Sequence, residues 1–142
     1  MDIRSIIDGA LELTVVGSFS RFGFQVRRRV FAWTAPPDGV LVGRTVLVTG
    51  PTSGLGRAAA GAVAALGARV VLVGRSPERL AKVRDELVAT HGVDRFPIVV
   101  ADMASLASVR AAVDEVLATE PRLDVVIRNA INSGQIPGPR YL

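Results

Sequence analysis

Residues Thr49-Gly50-Pro51-Thr52-Ser53-Gly54-Leu55-Gly56 set three glycines and three hydroxyl side chains directly behind an apolar run. Chain without Cβ atoms lets backbone N–H groups approach an anion closely, and a helix that starts there adds the positive end of its dipole. The chemistry on offer is therefore the cradling of a phosphate. Arg44-Thr45-Val46-Leu47-Val48, just upstream, reads as a short buried strand rich in β-branched residues. Downstream, Arg57 to Leu66 is mostly alanine and reads as a helix, with Gly67 as its stop. The glycines thus fall in a strand-to-helix turn.

The elements that must position this turn follow from the alternation of patterns. Strands are expected at about Thr45–Thr49, Arg69–Val73, Phe96–Ala101 and Leu123–Ile127. Helices are expected at about Gly54–Leu66, from Ser76-Pro77-Glu78 to Thr90 before Gly92, and Ser105–Ala118 before Pro121. Ser76 reads as an N-cap with proline at the first helical position and an acid in the first turn. Strands alternating with helices predict an α/β fold, a Rossmann-type doubly wound parallel sheet of about four strands and three helices.

Ligands of such sheets sit beyond the carboxyl ends of the strands. The four expected strand ends carry Gly50 to Gly56, Gly74-Arg75-Ser76, Asp102 and Asn129. Each has an ordinary structural reading: tight-turn glycine, solvated arginine, Asp102 as a helix N-cap, Asn129 as a turn former. Together they define one ligand-facing edge. At the second strand end no acid is present to bind a ribose 2′-hydroxyl; Arg75 offers a guanidinium fork there, and Ser76 a hydroxyl and a helix-start N–H. That chemistry suits a 2′-phosphate and predicts NADP over NAD.

Composition narrows the remaining classes. The chain of 142 residues has no cysteine and one histidine, which leaves little for a metal site and nothing for a disulfide framework. Its net charge of +4 comes from seventeen basic and thirteen acidic residues, with Lys82 the only lysine. Much of this basicity is scattered singly among helices, so nucleic-acid binding is not expected. No signal peptide stands out, and the uncharged run Leu13 to Ser20 is short for a membrane span, so the expectation is a cytoplasmic protein.

The first forty residues differ in character. Ile3, Ile6, Ile7, Ala10 and Leu11 keep helical spacing, and Val15, Phe19, Phe22, Val26, Val30 and Trp33 continue it, with Arg21, Arg28 and Arg29 off that stripe. Thr34 to Gly39 then breaks any helix and marks a linker. The expected organisation is an N-terminal amphipathic helical extension and linker (1–39), a nucleotide-binding domain (40–130) and an irregular tail (131–142). The amphipathic stretch suits either packing on the following domain or lying peripherally on an anionic membrane surface or a partner.

Thr49-Gly50-Pro51-Thr52-Ser53-Gly54-Leu55-Gly56 resembles the Thr-Gly-x-x-x-Gly-x-Gly signature of the short-chain dehydrogenases/reductases, whose spacing departs from the general Gly-x-Gly-x-x-Gly fingerprint. Asp102 matches the acid that in this family contacts the adenine ring. Asn129-Ala130 matches the start of its Asn-Ala-Gly element, although Ile131 stands where the third residue is glycine. The resemblance spans about Val40 to Ala130, with a looser likeness of Met1 to Trp33 to the extension of some members. It implies a cofactor-binding set of Thr49, Gly50, Thr52, Ser53, Gly54, Leu55, Gly56, Arg75, Ser76, Asp102, Met103, Asn129 and Ala130.

The same resemblance implies hydride transfer between a nicotinamide cofactor and a carbonyl or alcohol, through a tyrosine with a lysine four residues on. Here Tyr141 and Lys82 are the only tyrosine and lysine, and no Tyr-x-x-x-Lys can be written. No residue is assigned a catalytic role. The expectation is the NADP(H)-binding part of an oxidoreductase, truncated and inactive alone. A non-catalytic nucleotide-binding module, or a protein working through its N-terminal helix, are the alternatives. A fourth strand with no fifth beside it would leave an apolar edge, so self-association is expected there unless Met1 to Trp33 covers the sheet.

Overall fold

The computed structural model describes residues 36–130. The expected N-terminal helix and the tail after Ala130 lie outside the described residues. Seven elements follow one another: β1 (Thr45–Thr49), α1 (Gly54–Ala65), β2 (Arg69–Gly74), α2 (Pro77–His91), β3 (Ile98–Val100), α3 (Leu106–Thr119) and β4 (Val125–Ile127). All strand pairs are parallel, in the order β3-β2-β1-β4. This is the expected Rossmann-like α/β sheet, and β1 matches its expected bounds.

Strand alternation decides which helix covers which face. Val46 and Val48 of β1 stand in register with Val70 and Leu72 of β2, and all four pack with Ala60 and Ala64 of α1 and Leu80, Val83 and Leu87 of α2. The intervening residues Val71, Val73 and Val99 face the other way, onto Ala112 and Val116 of α3. The buried stripe of α1 is Gly56, Ala60 and Ala64, so small side chains let this helix settle close to the sheet.

Two strands are shorter than the patterning predicts. β3 covers Ile98–Val100 in place of Phe96–Ala101, although the carbonyls of Arg95 and Pro97 still accept from Val70 and Leu72 at 3.0 and 2.8 Å. Pro97 has no N–H to return, so the ladder is one-sided before Ile98. β4 covers Val125–Ile127 in place of Leu123–Ile127. Its entry is fixed by Asp124, whose N–H donates to the Thr45 carbonyl while its carboxylate accepts from the Thr45 N–H and from Arg44. The α2 start agrees with the expected cap: the Ser76 hydroxyl accepts from the Arg79 N–H and Pro77 opens the helix. Ser105, not Asp102, caps α3, accepting from the Ser108 N–H.

β4 lies at one edge of the sheet, and Val125 and Val126 are 44% and 50% exposed. Val126 pairs with Leu47, on the face where α3 packs with Val71, Val73 and Val99 of β2 and β3 and where Leu47 is partly buried against that cluster. Among the described residues this part of the sheet lacks a second covering layer.

One ion pair ties the sheet to α3. Glu120, at the C-terminal cap of that helix, is buried and takes a bidentate fork from Arg69 Nε and a terminal nitrogen at 2.7 and 2.9 Å. These hydrogen bonds hold the Arg69 pKa above its ordinary value, with partial burial opposing them. Arg57 and Glu86 form another pair between α1 and α2, but both are substantially exposed. Glu120→Gln should lower the unfolding free energy by about 1–2 kcal/mol, tempered by the exposed side of Arg69. Glu86→Gln should change it by at most about 0.5 kcal/mol. Urea denaturation of the two variants checks this ordering; equal losses would contradict it.

Candidate functional site

At the carboxyl ends of the four parallel strands the chain leaves a cleft of about 790 Å³. The turn from β1 into α1 forms one wall through Gly50, Thr52, Ser53, Gly54 and Leu55. Gly74, Arg75, Ser76 and Arg79 line it from the β2–α2 junction, Ala101 to Ala104 from the end of β3, and Asn129 and Ala130 from the end of β4. Every residue of the expected binding set lines this cleft except Thr49 and Gly56.

Those two are buried behind it, and they build it. The Thr49 hydroxyl accepts from the backbone N–H groups of Asn129 and Ala130 at 3.0 and 3.1 Å, fastening the end of β4 to the end of β1. The Asn129 amide donates to the Gly50 carbonyl at 3.3 Å. A Cβ at Gly56 would stand 2.1 Å from that same carbonyl oxygen and 2.5 Å from the Asn129 amide nitrogen. Gly50 itself has φ +67°, with Ala130 backbone atoms 3.0 Å from where its Cβ would be. The turn is therefore packed to the limit on its inner side and open on its outer side, where a Cβ on Gly54 would meet nothing within 4 Å.

The N-terminus of α1 opens onto that outer side. Helix geometry leaves the amides of Gly54, Leu55 and Gly56 without partners inside the helix. Ser53 occupies the N-cap position but its side chain accepts no capping hydrogen bond, and no acid stands in the first turn. By contrast, Ser76 and Ser105 cap α2 and α3 with their hydroxyls. The uncapped donors and the dipole end suit an anion with two or more acceptor oxygens, such as a diphosphate.

Arg75 is exposed at the opposite lip, at the end of β2. Arg79, one helical turn along α2, lines the same lip. Sequence reasoning missed Arg79; the i, i+3 spacing from the N-cap Ser76 was the signal that could have found it. Asp102 lies exposed at the third strand end, its carboxylate accepting from the Ala104 N–H at 3.0 Å and its own N–H donating to Ser108 Oγ. The Asx turn it forms steers the chain around the cleft into α3.

The sequence model of the short chain dehydrogenase family matches residues 44–138. DnrU of Streptomyces sp. (strain C5), which carries the name of a daunorubicin C-13 ketoreductase, is 53% identical over 96 residues, covering 66% of this chain and 32% of DnrU. Human dehydrogenase/reductase SDR family member 13 is 46% identical over 99 residues, covering 68% of this chain and 26% of that protein. Among solved structures, L-sorbose reductase of Gluconobacter frateurii in complex with NADPH and L-sorbose superposes with a TM-score of 0.61 at 34% identity, over 67% of this chain and 36% of that one. This chain spans between about a quarter and a third of the length of these two curated relatives.

Gly56→Ala would drive a methyl group into the Gly50 carbonyl and prise α1 from the strand end. It should cost about 3 kcal/mol of stability and abolish measurable nucleotide binding, whereas Gly61→Ala, which meets open space inside α1, should raise stability by about 0.5–1 kcal/mol and leave binding unchanged. Denaturant unfolding and nucleotide titration of both variants check this; a Gly56→Ala chain of normal stability would contradict it. The family signature and the geometry of the strand-end cleft agree: the chain belongs to the short-chain dehydrogenase/reductase family of Rossmann-fold oxidoreductases.

Proposed function

We propose that the cleft binds NADP(H), and that the chain supplies the cofactor-binding part of an oxidoreductase acting on a carbonyl or alcohol. The observation that carries this reading is a pair of features on one cleft: uncapped α1 amides at one wall and Arg75 at the end of β2, with no acid within Gly74-Arg75-Ser76. Two such features on one cleft suit a nucleotide with a diphosphate at one end of its adenosine and a 2′-phosphate on the ribose. The NADPH complex of the sorbose reductase neighbour supports the choice of cofactor.

When bound, the nicotinamide supplies or accepts a hydride. The residues of this chain bind and orient. The amides of Gly54 and Leu55 donate to the diphosphate, the open space beside Gly54 admits it, and Arg75 and Arg79 meet the 2′-phosphate as guanidinium donors. Asp102 offers a carboxylate acceptor to the adenine edge. Thr49 and Asn129 act one step back, by locking the β4 end against β1 so that the turn keeps its shape.

Arg75→Asp should weaken NADPH binding by about 1–3 kcal/mol and leave NADH binding nearly unchanged. Equal loss for both cofactors in a calorimetric titration would refute the NADP reading. The 142 residues contain no Tyr-x-x-x-Lys, and a phenol of pKa about 10 needs a nearby cation to transfer a proton near neutral pH. The chain alone should therefore show no oxidation of NADPH with aldehydes, ketones or quinones, followed by absorbance. Turnover surviving removal of host reductases would overturn that assignment.

The open β4 edge favours a second reading, self-association. Val125 and Val126 present an exposed apolar strand beside a sheet face without a second layer among the described residues. Val126→Lys should shift light-scattering mass toward the monomer; a monodisperse monomer before substitution would contradict this.

A further inference from the structure

At the lip of the cleft one hydroxyl proton has two claimants. Ser76 Oγ accepts from the Arg79 N–H at 3.3 Å, which uses its acceptor side to cap α2. Its single proton is donated to Glu78 Oε2 at 2.8 Å. Ser76 also lines the cleft beside Arg75 and Arg79, where a 2′-phosphate would need donors and would gain nothing from a carboxylate two residues away. Hydrogen bonds from its own backbone N–H and from Ser76 hold the Glu78 carboxyl below the usual carboxylate range, so it is ionised at neutral pH.

We propose that Glu78 restrains the preference of this cleft for NADP(H) over NAD(H), by competing with the 2′-phosphate for the hydroxyl proton of Ser76. The inference rests on the NADP(H) reading and adds a residue that works against it. A hydroxyl has one proton to give. For Ser76 to donate to the phosphate, the Ser76–Glu78 hydrogen bond must break, and Glu78 is left as an unpaired like charge near the phosphate. NADH brings no dianion to the lip, so it meets neither cost. Glu78 is thus a positioning residue that acts through Ser76, and it tempers the selectivity that Arg75 and Arg79 provide.

An acid in the first turn of a helix also favours that helix through the dipole. That role alone would change stability and leave nucleotide preference untouched. The discriminating measurement is calorimetric titration of the 142-residue chain with NADPH and NADH, for the unaltered protein, Glu78→Gln, Glu78→Ala, Ser76→Ala and the double variant Ser76→Ala/Glu78→Gln. Either change at Glu78 should tighten NADPH binding about three- to tenfold and move NADH binding by less than about twofold. Without the Ser76 hydroxyl, the gain from Glu78→Gln should shrink to below about twofold. An unchanged ratio of the two affinities would overturn the proposal, as would an equal gain with and without Ser76. An unaltered chain that binds neither nucleotide, or prefers NADH, would refute the NADP(H) reading itself and this inference with it.

Discussion

The contact between the Gly50 carbonyl and the bare Cα of Gly56 sets the distance from which everything else at the strand ends is built. Because no Cβ intervenes, α1 begins directly against the end of β1, and its first amides face outward. The same carbonyl receives the Asn129 side chain, and the neighbouring Thr49 hydroxyl receives two amides from the end of β4. A single turn thereby joins β1, α1 and β4, and its inner side is full. Its outer side is open beside Gly54, and there the first turn of α1 has no side-chain cap.

Farther from the turn, packing follows from residue size. Gly56, Ala60 and Ala64 let α1 approach β1 and β2, while the larger Leu80, Val83 and Leu87 of α2 fill the space beside β2. On the opposite face α3 is held by Ala112 and Val116, packed with Val71, Val73 and Val99 of β2 and β3, and by the Arg69–Glu120 fork. The sheet is accordingly well covered at β2 and β3, whose ends line the cleft. It is thinly covered at β4, whose end contributes to the cleft through backbone fastened to Thr49.

Much of this was legible in the residues. Alternating β-branched and alanine-rich runs located all seven elements, and Ser76-Pro77-Glu78 marked the start of α2, because these signals are local. Signals that depend on partners were harder to read. Pro97 truncated the β3 ladder by lacking one N–H. Asp124 became the clamp at the entry to β4 through its contacts with Thr45 and Arg44, some eighty residues away. Thr49 and Gly56 belong to the expected binding set, yet their place behind the cleft is a matter of packing that spacing does not carry. Arg79 was missed because a lone arginine in a helix looks like solvated charge until the fold sets it beside Arg75 and Ser76.

The central claim is that the first-turn amides of α1 and the β2–α2 lip grip the diphosphate and the 2′-phosphate of one NADP(H) molecule. Amide-resolved nuclear magnetic resonance titration of the chain with NADPH tests it most directly. The account predicts saturable shifts concentrated at Gly54, Leu55 and Gly56 and, in the same titration, at Arg75, Ser76 and Arg79. Shifts confined to one of these two groups, or spread over the outer faces of α1 and α3 with the cleft unaffected, would contradict it.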